Sequence, residues 1–192
     1  MNPYRRRILD LALELTAPHR PFARALDFGS GDGWFAASFR AAGLAGEVVP
    51  VDVLRRRRTV VEPRLYDGAR LPFDDGSFDL AYAVDVLHHC PDPPASLAEL
   101  LRVTRGWLLL KDHTHRGLRQ RCTLALLDEI GNRRFGVPSL YRYQRGWEWL
   151  PQIAAAGFTL ERLIHPAPCH GGALGGATNG LQFVALWRRN PG

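Results

Sequence analysis

Acidic residues recur where apolar runs end in the first half of the chain: Asp27, Asp52, Asp67 and Asp85. The first lies in Leu26-Asp27-Phe28-Gly29-Ser30-Gly31-Asp32-Gly33. Glycines at these positions permit a tight turn and let a ligand approach the backbone, and a helix starting there offers unpaired N–H groups. Asp52 follows about twenty residues later, where a carboxylate can accept hydrogen bonds from ribose hydroxyls. Asp67-Gly68 can present a carboxylate to an adenine amino group. A second set could move protons: His88 and His89 after one apolar run, and Asp112, His113 and His115 after another. Histidine is the side chain best matched to proton transfer near neutral pH.

Alternating strands and helices must carry these residues. Ile8, Leu11, Ala12 and Leu15 share a helical face, so residues 4–16 should open the chain as an amphipathic helix ended by Pro18 and Pro21. Strands are expected at 24–28, 47–51, 61–66, 78–84 and 107–111, with helices at 32–42 and 96–103. Such alternation implies crossover units and a mostly parallel, twisted sheet with helices on both faces. The short span Val53 to Val60 leaves room for a turn rather than a full crossover helix. Its arginines, Arg55 to Arg58, read as a solvated turn. Further on, Leu118, Cys122, Ala125 and Leu126 mark a helix and 147–156 another. Strands at 158–164 and 181–187 should pair antiparallel at one sheet edge. The glycine-rich stretch between them, with Gly171-Gly172 and Gly175-Gly176, reads as a long hairpin loop or a mobile lid.

In this class of sheet, ligands bind at the carboxyl ends of the strands, where all four aspartates arrive. Their charge discriminates between cofactors. Asp27, Asp32 and Asp85 would repel a pyrophosphate, which disfavours a nicotinamide dinucleotide. S-adenosylmethionine carries a sulfonium, an ammonium and a carboxylate, which acidic strand ends and free N–H groups can serve.

The run Asp67-Gly68-Ala69-Arg70-Leu71-Pro72-Phe73-Asp74-Asp75-Gly76-Ser77-Phe78-Asp79 is followed by Val84-Asp85-Val86-Leu87-His88-His89, then by Pro91-Asp92-Pro93 and Leu101-Arg102-Val103. Over residues 24–112 this order resembles the class I S-adenosylmethionine-dependent methyltransferases that act on small molecules, of the ubiquinone and menaquinone biosynthesis type. The resemblance implies an α/β, Rossmann-like methyltransferase fold, with the antiparallel edge hairpin and a small helical cap. It implies that Asp27, Gly29, Ser30 and Gly31 line the methionine part of the cofactor. Asp52 would hold the ribose, Val53 would lie against the adenine, and Asp67 and Gly68 would sit at its edge. Asp85 and Val86 would border the sulfonium. A longer helix after the second strand, common in the family, is missing here.

Methyl transfer needs alignment and exclusion of water, and a poorly nucleophilic acceptor also needs a base. Asp112 and His113 at the mouth of the sheet are the first candidates, with His89 the next. His88 and His89 also have a packing role open to them. A metal held by Asp112, His113 and His115 has no recognised ligand spacing, and none is expected. The acceptor pocket should come from residues 114–150, where Phe135, Tyr141, Tyr143, Trp147 and Trp149 interleave with Arg133, Arg134, Arg142 and Arg145. The same aromatics could equally form the core of a helical cap.

At 192 residues with 46% hydrophobic and 23% charged residues, the chain reads as one globular domain, 1–192. No apolar run spans a bilayer. Asp10 and Glu14 break the stretch behind Arg5-Arg6-Arg7, which argues against a secretory signal. The odd set Cys90, Cys122 and Cys169 suits free thiols in a reducing, cytoplasmic compartment. A net charge of +6, nearly all of it arginine, raises nucleic acid as a partner. Against it, Asp85-Val86-Leu87-His88-His89 lacks the Pro-Pro-aromatic pattern of amino-directed base methylases. The expected partner is a small-molecule acceptor. The alternatives are a nucleic-acid methyltransferase and an S-adenosylmethionine-binding cyclase, lyase or regulatory protein. Oligomeric state leaves no signature in the sequence.

Overall fold

The computed structural model describes residues 2–132 and 140–191, and for residues 131 and 132 the backbone alone. The elements run α1 (Pro3–Thr16), β1 (Phe22–Phe28), α2 (Trp34–Ala41), β2 (Ala45–Asp52), β3 (Arg64–Leu65), β4 (Phe78–Val84), α3 (Pro93–Val103), β5 (Thr104–His115), α4 (Leu118–Asn132), β6 (Gln144–Arg145), α5 (Leu150–Ala155), β7 (Phe158–Ile164), α6 (Gly172–Thr178) and β8 (Gln182–Arg189). The sheet order is β3-β2-β1-β4-β5-β8-β7. Strands β3, β2, β1, β4 and β5 are parallel, and β8 runs antiparallel to both β5 and β7. The expected Rossmann-like architecture with its antiparallel edge pair is what forms.

Period-two alternation divides the sheet's side chains between two cores. Leu26, Phe28, Ala81, Ala83, Leu108, Leu110, Phe183 and Ala185 face α3 and α5, where Leu97, Leu100, Leu101, Trp149 and Ile153 close the layer. Ala25, Leu80, Tyr82, Leu109, Val184 and Leu186 face α1 and α2, meeting Ile8, Leu11, Leu15 and Phe39. Burial on both faces explains why β1, β4 and β5 read as nearly continuous apolar runs. Asn2 caps α1 by accepting the Tyr4 N–H, and Asp92 caps α3 by accepting the Ala95 N–H.

Several elements differ from the sequence reading. The third strand is two residues long, because residues 53–63 form an irregular loop pinned by Val60 N–H to the Asp32 carbonyl at 2.7 Å. Within it Arg55 pairs with Glu62 at 2.8 Å. β5 extends four residues beyond the expected end, to His115, because β8 and β6 give its distal half hydrogen-bond partners. The glycine-rich stretch is not an open loop. It coils into α6, where a Cβ on Gly175 would lie 2.3 Å from the His170 carbonyl oxygen, so close approach accounts for that glycine. Asn179 locks the helix by accepting the His170 N–H at 2.9 Å and donating to its carbonyl at 3.0 Å. Among the described residues no helix is long and apolar enough to cross a membrane.

Candidate active site

The turn after β1 puts Gly29, Gly31 and Gly33 at positive φ, a region L-residues with a Cβ rarely adopt. Gly29 packs against Val86 and Gly33 against the Val61 backbone, so the loop is held between the segment after β4 and the loop after β2. Ser30 N–H donates to the Val51 carbonyl at 2.9 Å, and among the described residues the buried Ser30 Oγ has no hydrogen-bond partner. Asp52 ends β2 almost buried; its Oδ2 accepts the Gly31 N–H at 2.8 Å and its Oδ1 the Leu54 N–H at 3.0 Å. One bond per oxygen leaves lone pairs for further donors. Val53 and Leu54 next to it are about half exposed. Gly68 approaches Val53, and Asp67 accepts the Ala69 and Arg70 N–H groups, which lower its pKa.

The other acids carry less free charge than their count in the sequence suggests. Asp27 lies under α2, 3% exposed, and burial pushes its pKa up to about 8 against the opposing influence of Tyr82 and the Ala36 amide. Burial thus favours its neutral form. Asp32 is paired with Arg5 of α1 at 2.7 Å. Asp85, at φ +55, sits where β4 ends, and its carboxylate meets the Lys111 ammonium and the Tyr4 hydroxyl. Burial alone would raise the Asp85 pKa, but Lys111 prevails and the net shift is downward. Lys111, the only lysine in the chain, is buried and also donates to Tyr4 Oη at 2.5 Å and Gln182 Oε1 at 2.6 Å. The N-terminal helix is thereby tied to the end of β4, and His170 stacks on Tyr4 with ring centroids 4.6 Å apart.

Asp112 and His113 do not form a pair with each other's side chains in the way their adjacency suggested. The two side chains stay close, and both lie beside the His88 ring. Asp112 Oδ1 instead meets His88 Nδ1 at 2.5 Å, and accepts the His113 backbone N–H at 2.8 Å. The His113 ring nitrogen Nδ1 is 3.5 Å from Asp112 and 3.7 Å from Asp85, too far for a hydrogen bond. Burial and then Lys111 lower its pKa. His89, half-buried beside His88, is lowered to about 4 by burial and its neighbour. His88 moves the other way: burial opposes its charged form, yet Asp112 outweighs burial and the net shift is upward.

Sequence reasoning missed His88 as the partner of Asp112, missed Asp128, and read Tyr143 only as a pocket or cap aromatic. Asp128 on α4 is 3.5 Å from His88 Nε2 and accepts the Tyr143 hydroxyl at 2.5 Å. The helical spacing of α4 places Asp128 with Leu124 on its inward face, a signal that was available. Trp149 belongs to the main core, while Trp147 packs on His165 and Phe183. Arg142 and Arg145 are exposed. Phe135, Arg133 and Arg134 lie outside the described residues.

Residues 1–163 match the methyltransferase domain family. The chain belongs to the class I S-adenosylmethionine-dependent methyltransferases. It is 33% identical over 138 residues to a demethylmenaquinone methyltransferase of Renibacterium salmoninarum, covering 64% of this chain and 57% of that protein. It is 37% identical over 90 residues to a malonyl-acyl-carrier-protein O-methyltransferase of Serratia marcescens, covering 44% of this chain and 35% of that one. The matches thus span between a third and three-fifths of those relatives' length. Among solved structures, the 4+2 cyclase SpnF superposes with a TM-score of 0.67 at 20% identity, covering 97% of this chain and 81% of that one. At that identity the likeness is one of fold.

Proposed function

We propose that this methyltransferase binds S-adenosylmethionine at the carboxyl edge of β1, β2 and β4 and transfers its methyl group to a small molecule. The observation that carries the reading is the Asp52 carboxylate, which accepts the Gly31 N–H of the glycine turn, keeps further acceptor capacity, and stands next to the half-exposed Val53 and Leu54. A ribose between a hydrogen-bonding carboxylate and an apolar shelf suits both groups. The unpartnered Ser30 Oγ and the open flank of Gly31, with nothing within 4 Å of a Cβ there, fit the methionine end. In this reading Gly29, Ser30 and Gly31 cradle the amino-acid part, Val53, Asp67 and Gly68 border the adenine, and Asp85 and Val86 flank the sulfonium. Asp27 acts from beneath the loop as a neutral group rather than as a counter-ion.

When bound, the cofactor supplies an electrophilic methyl carbon. The chain's own work is to orient the acceptor, exclude water and handle its proton. His89, Asp112 and His113 stand on the acceptor side, between the strand ends and α4. The two curated relatives are named for acting on a quinone precursor and on a carrier-bound acid, which supports a small-molecule acceptor.

Calorimetric titration with S-adenosylmethionine and S-adenosylhomocysteine tests the cofactor site. Losing a charge-assisted hydrogen bond costs about 1.5–3 kcal/mol, so Asp52→Ala should weaken binding by about tenfold to a hundredfold. Asp52→Asn keeps one acceptor oxygen and should fall between. A folded protein that binds neither compound would remove the proposal. The rival is a protein of the same fold that binds the cofactor without transferring methyl. Binding with no S-adenosylhomocysteine formed on any acceptor would decide for it.

A further inference from the structure

We propose that the turn after β4 and helix α4 share a divalent transition-metal ion, zinc by ligand chemistry, held by His88 Nε2, His89 and Asp128, and that this ion fastens α4 to the sheet. The site shares no residue with the cradle proposed for S-adenosylmethionine.

His88 and His89 come from the short turn between β4 and α3, and Asp128 comes from α4. Each offers one ligand atom, and the three atoms lie within 4.8 Å of one another. Two donors each about 2.0–2.1 Å from a tetrahedral zinc stand about 3.3–3.4 Å apart. His88 Nε2 and Asp128 Oδ2 are 3.5 Å apart, close to that spacing and too long for a good hydrogen bond. His88 is fully buried, and among the described residues its Nε2 has no hydrogen-bond partner. Leaving a buried nitrogen so is unfavourable, and a cation in the gap removes the penalty. A modest rotation of the partly exposed His89 ring completes the set.

The surroundings are those of a metal-bound imidazole. Such a ring donates its other N–H to a carboxylate, which sets the tautomer and aims the remaining nitrogen at the ion. His88 has this partner: Nδ1 meets Asp112 Oδ1 at 2.5 Å, and Asp112 also accepts the His113 N–H at 2.8 Å. At 2.5 Å the pair is a hydrogen bond with no room for an ion between its atoms, so Asp112 supports the site from behind. The Tyr143 hydroxyl fixes the Asp128 carboxylate by donating to Oδ2 at 2.5 Å. The ligand set thus differs from Asp112, His113 and His115, which adjacency in the sequence brings to mind. Asp112 is a support, and His113 and His115 stand outside.

Charge points the same way. Buried carboxylates pair with cations or coordinate metals. Asp85 is met by Lys111, but among the described residues neither Asp112 nor Asp128 has a lysine or arginine partner. With the imidazoles neutral, as ligation requires, a divalent ion balances the two carboxylates. Two imidazoles and one carboxylate suit zinc and its first-row neighbours, whereas magnesium and calcium take oxygen ligands. Three protein ligands leave a position for water, and His89 is the side open to solvent. As a ligand, His89 is not available as a base. The ion also accounts for how α4 is held. Of its described side chains only Leu124 and Asp128 are buried, and the apolar cluster beneath it is Leu124, Tyr143 and Leu181. One of the two anchors is therefore a carboxylate, which apolar packing holds poorly and a metal bond holds well.

The competing occupant of the gap is a proton, which would leave an imidazolium between Asp112 and Asp128. The test uses the untagged full chain, stripped with a chelator and titrated calorimetrically with zinc chloride. One zinc per chain should bind with a dissociation constant of about 1 μM or below. Free zinc at about a hundredfold excess over that constant should raise the melting temperature by about 5–10 °C. It should also slow amide hydrogen exchange along α4. His89→Gln and Asp128→Asn should each weaken zinc binding by about a hundredfold or more, and Asp112→Asn by about tenfold to a hundredfold. His115→Gln should leave it unchanged. If Asp128→Asn fails to fold, His89→Gln, at a partly exposed position, still decides. A folded wild type that takes up no zinc overturns the proposal and assigns the gap to an imidazolium. So do zinc binding that survives His89→Gln, binding lost only when Cys90, Cys122 and Cys169 are replaced, and binding that leaves exchange along α4 unchanged.

Discussion

Gly29→Ala should destabilise the protein through two separable effects, and the structure says how to separate them. At φ +68 an alanine pays about 1–2 kcal/mol for the left-handed backbone. Its Cβ would also lie 2.3 Å from Val86 Cγ1 and 2.7 Å from Cγ2. Val is stiff at χ1, so it relieves the overlap poorly, and overpacking of this kind costs about 1–3 kcal/mol more. The sum, about 2–5 kcal/mol, lowers the melting temperature by roughly 5–15 °C in a chain of this size. Gly31→Ala is the control. Gly31 has φ +60 and nothing within 4 Å of its Cβ position, so it should show only the backbone cost. Val86→Ala removes both offending methyls and should restore the overpacking part of Gly29→Ala, a coupling of about 1–3 kcal/mol. Urea and thermal unfolding of the two single variants and the double variant measure it. Additive effects, or a Gly29→Ala protein within about 0.5 kcal/mol of the wild type, would refute the claim that Val86 seats the glycine turn.

Asp27→Asn should stabilise the protein progressively with pH. Burial holds the Asp27 carboxyl protonated up to about 8, above its ordinary value of 3.8. The folded state therefore binds a proton that the unfolded chain has lost, and the wild type loses stability as pH rises from about 4 to about 8. Asparagine has no such proton to hold, so its advantage in urea melts should grow through that window and level off on either side; a constant difference would contradict a buried neutral carboxyl. Arg102 on α3 ties down residues 71–75: its guanidinium donates to Glu99, to Asp75 at 2.7 Å, and to the Phe73 and Leu71 carbonyls at 2.9 and 3.1 Å. Arg102→Ala should cost about 1–3 kcal/mol, and Arg102→Lys should recover little because an ammonium cannot copy the fork. Loss of less than about 0.5 kcal/mol on alanine substitution would show that the loop is held by something else.

Much of this was readable from sequence because the relevant forces are local. β1 and β4 announce themselves as short apolar runs, the glycine turn follows one of them, and strand ends fix where Asp52, Asp67 and Asp85 must emerge. What stayed hidden depends on partners distant in the chain. The charge state of Asp27 is one instance. Its type says carboxylate, but its alternation within β1 turns it under α2, where burial favours its neutral form. Residues 171–176 are another. Glycine repetition reads as freedom, whereas the structure uses Gly175 for close approach to the His170 carbonyl.

The decisive case is the extent of β5. Read as a strand ending at Lys111, the chain leaves Asp112 and His113 as loop neighbours, free to act together. Antiparallel pairing with β8, from Trp107 opposite Arg188 to His113 opposite Gln182, keeps this stretch extended, and β6 carries it to His115. Alternation then sends the Lys111 and Asp112 side chains different ways. Lys111 turns toward α1, where Tyr4 and Asp85 close around its ammonium; Asp112 turns the other way, to His88. One strand thus presents a buried ammonium to Tyr4 and Asp85 and, from its next residue, a carboxylate to His88. No local pattern in Leu110-Lys111-Asp112-His113 encodes that division. It follows from pairing with a strand more than seventy residues away along the chain.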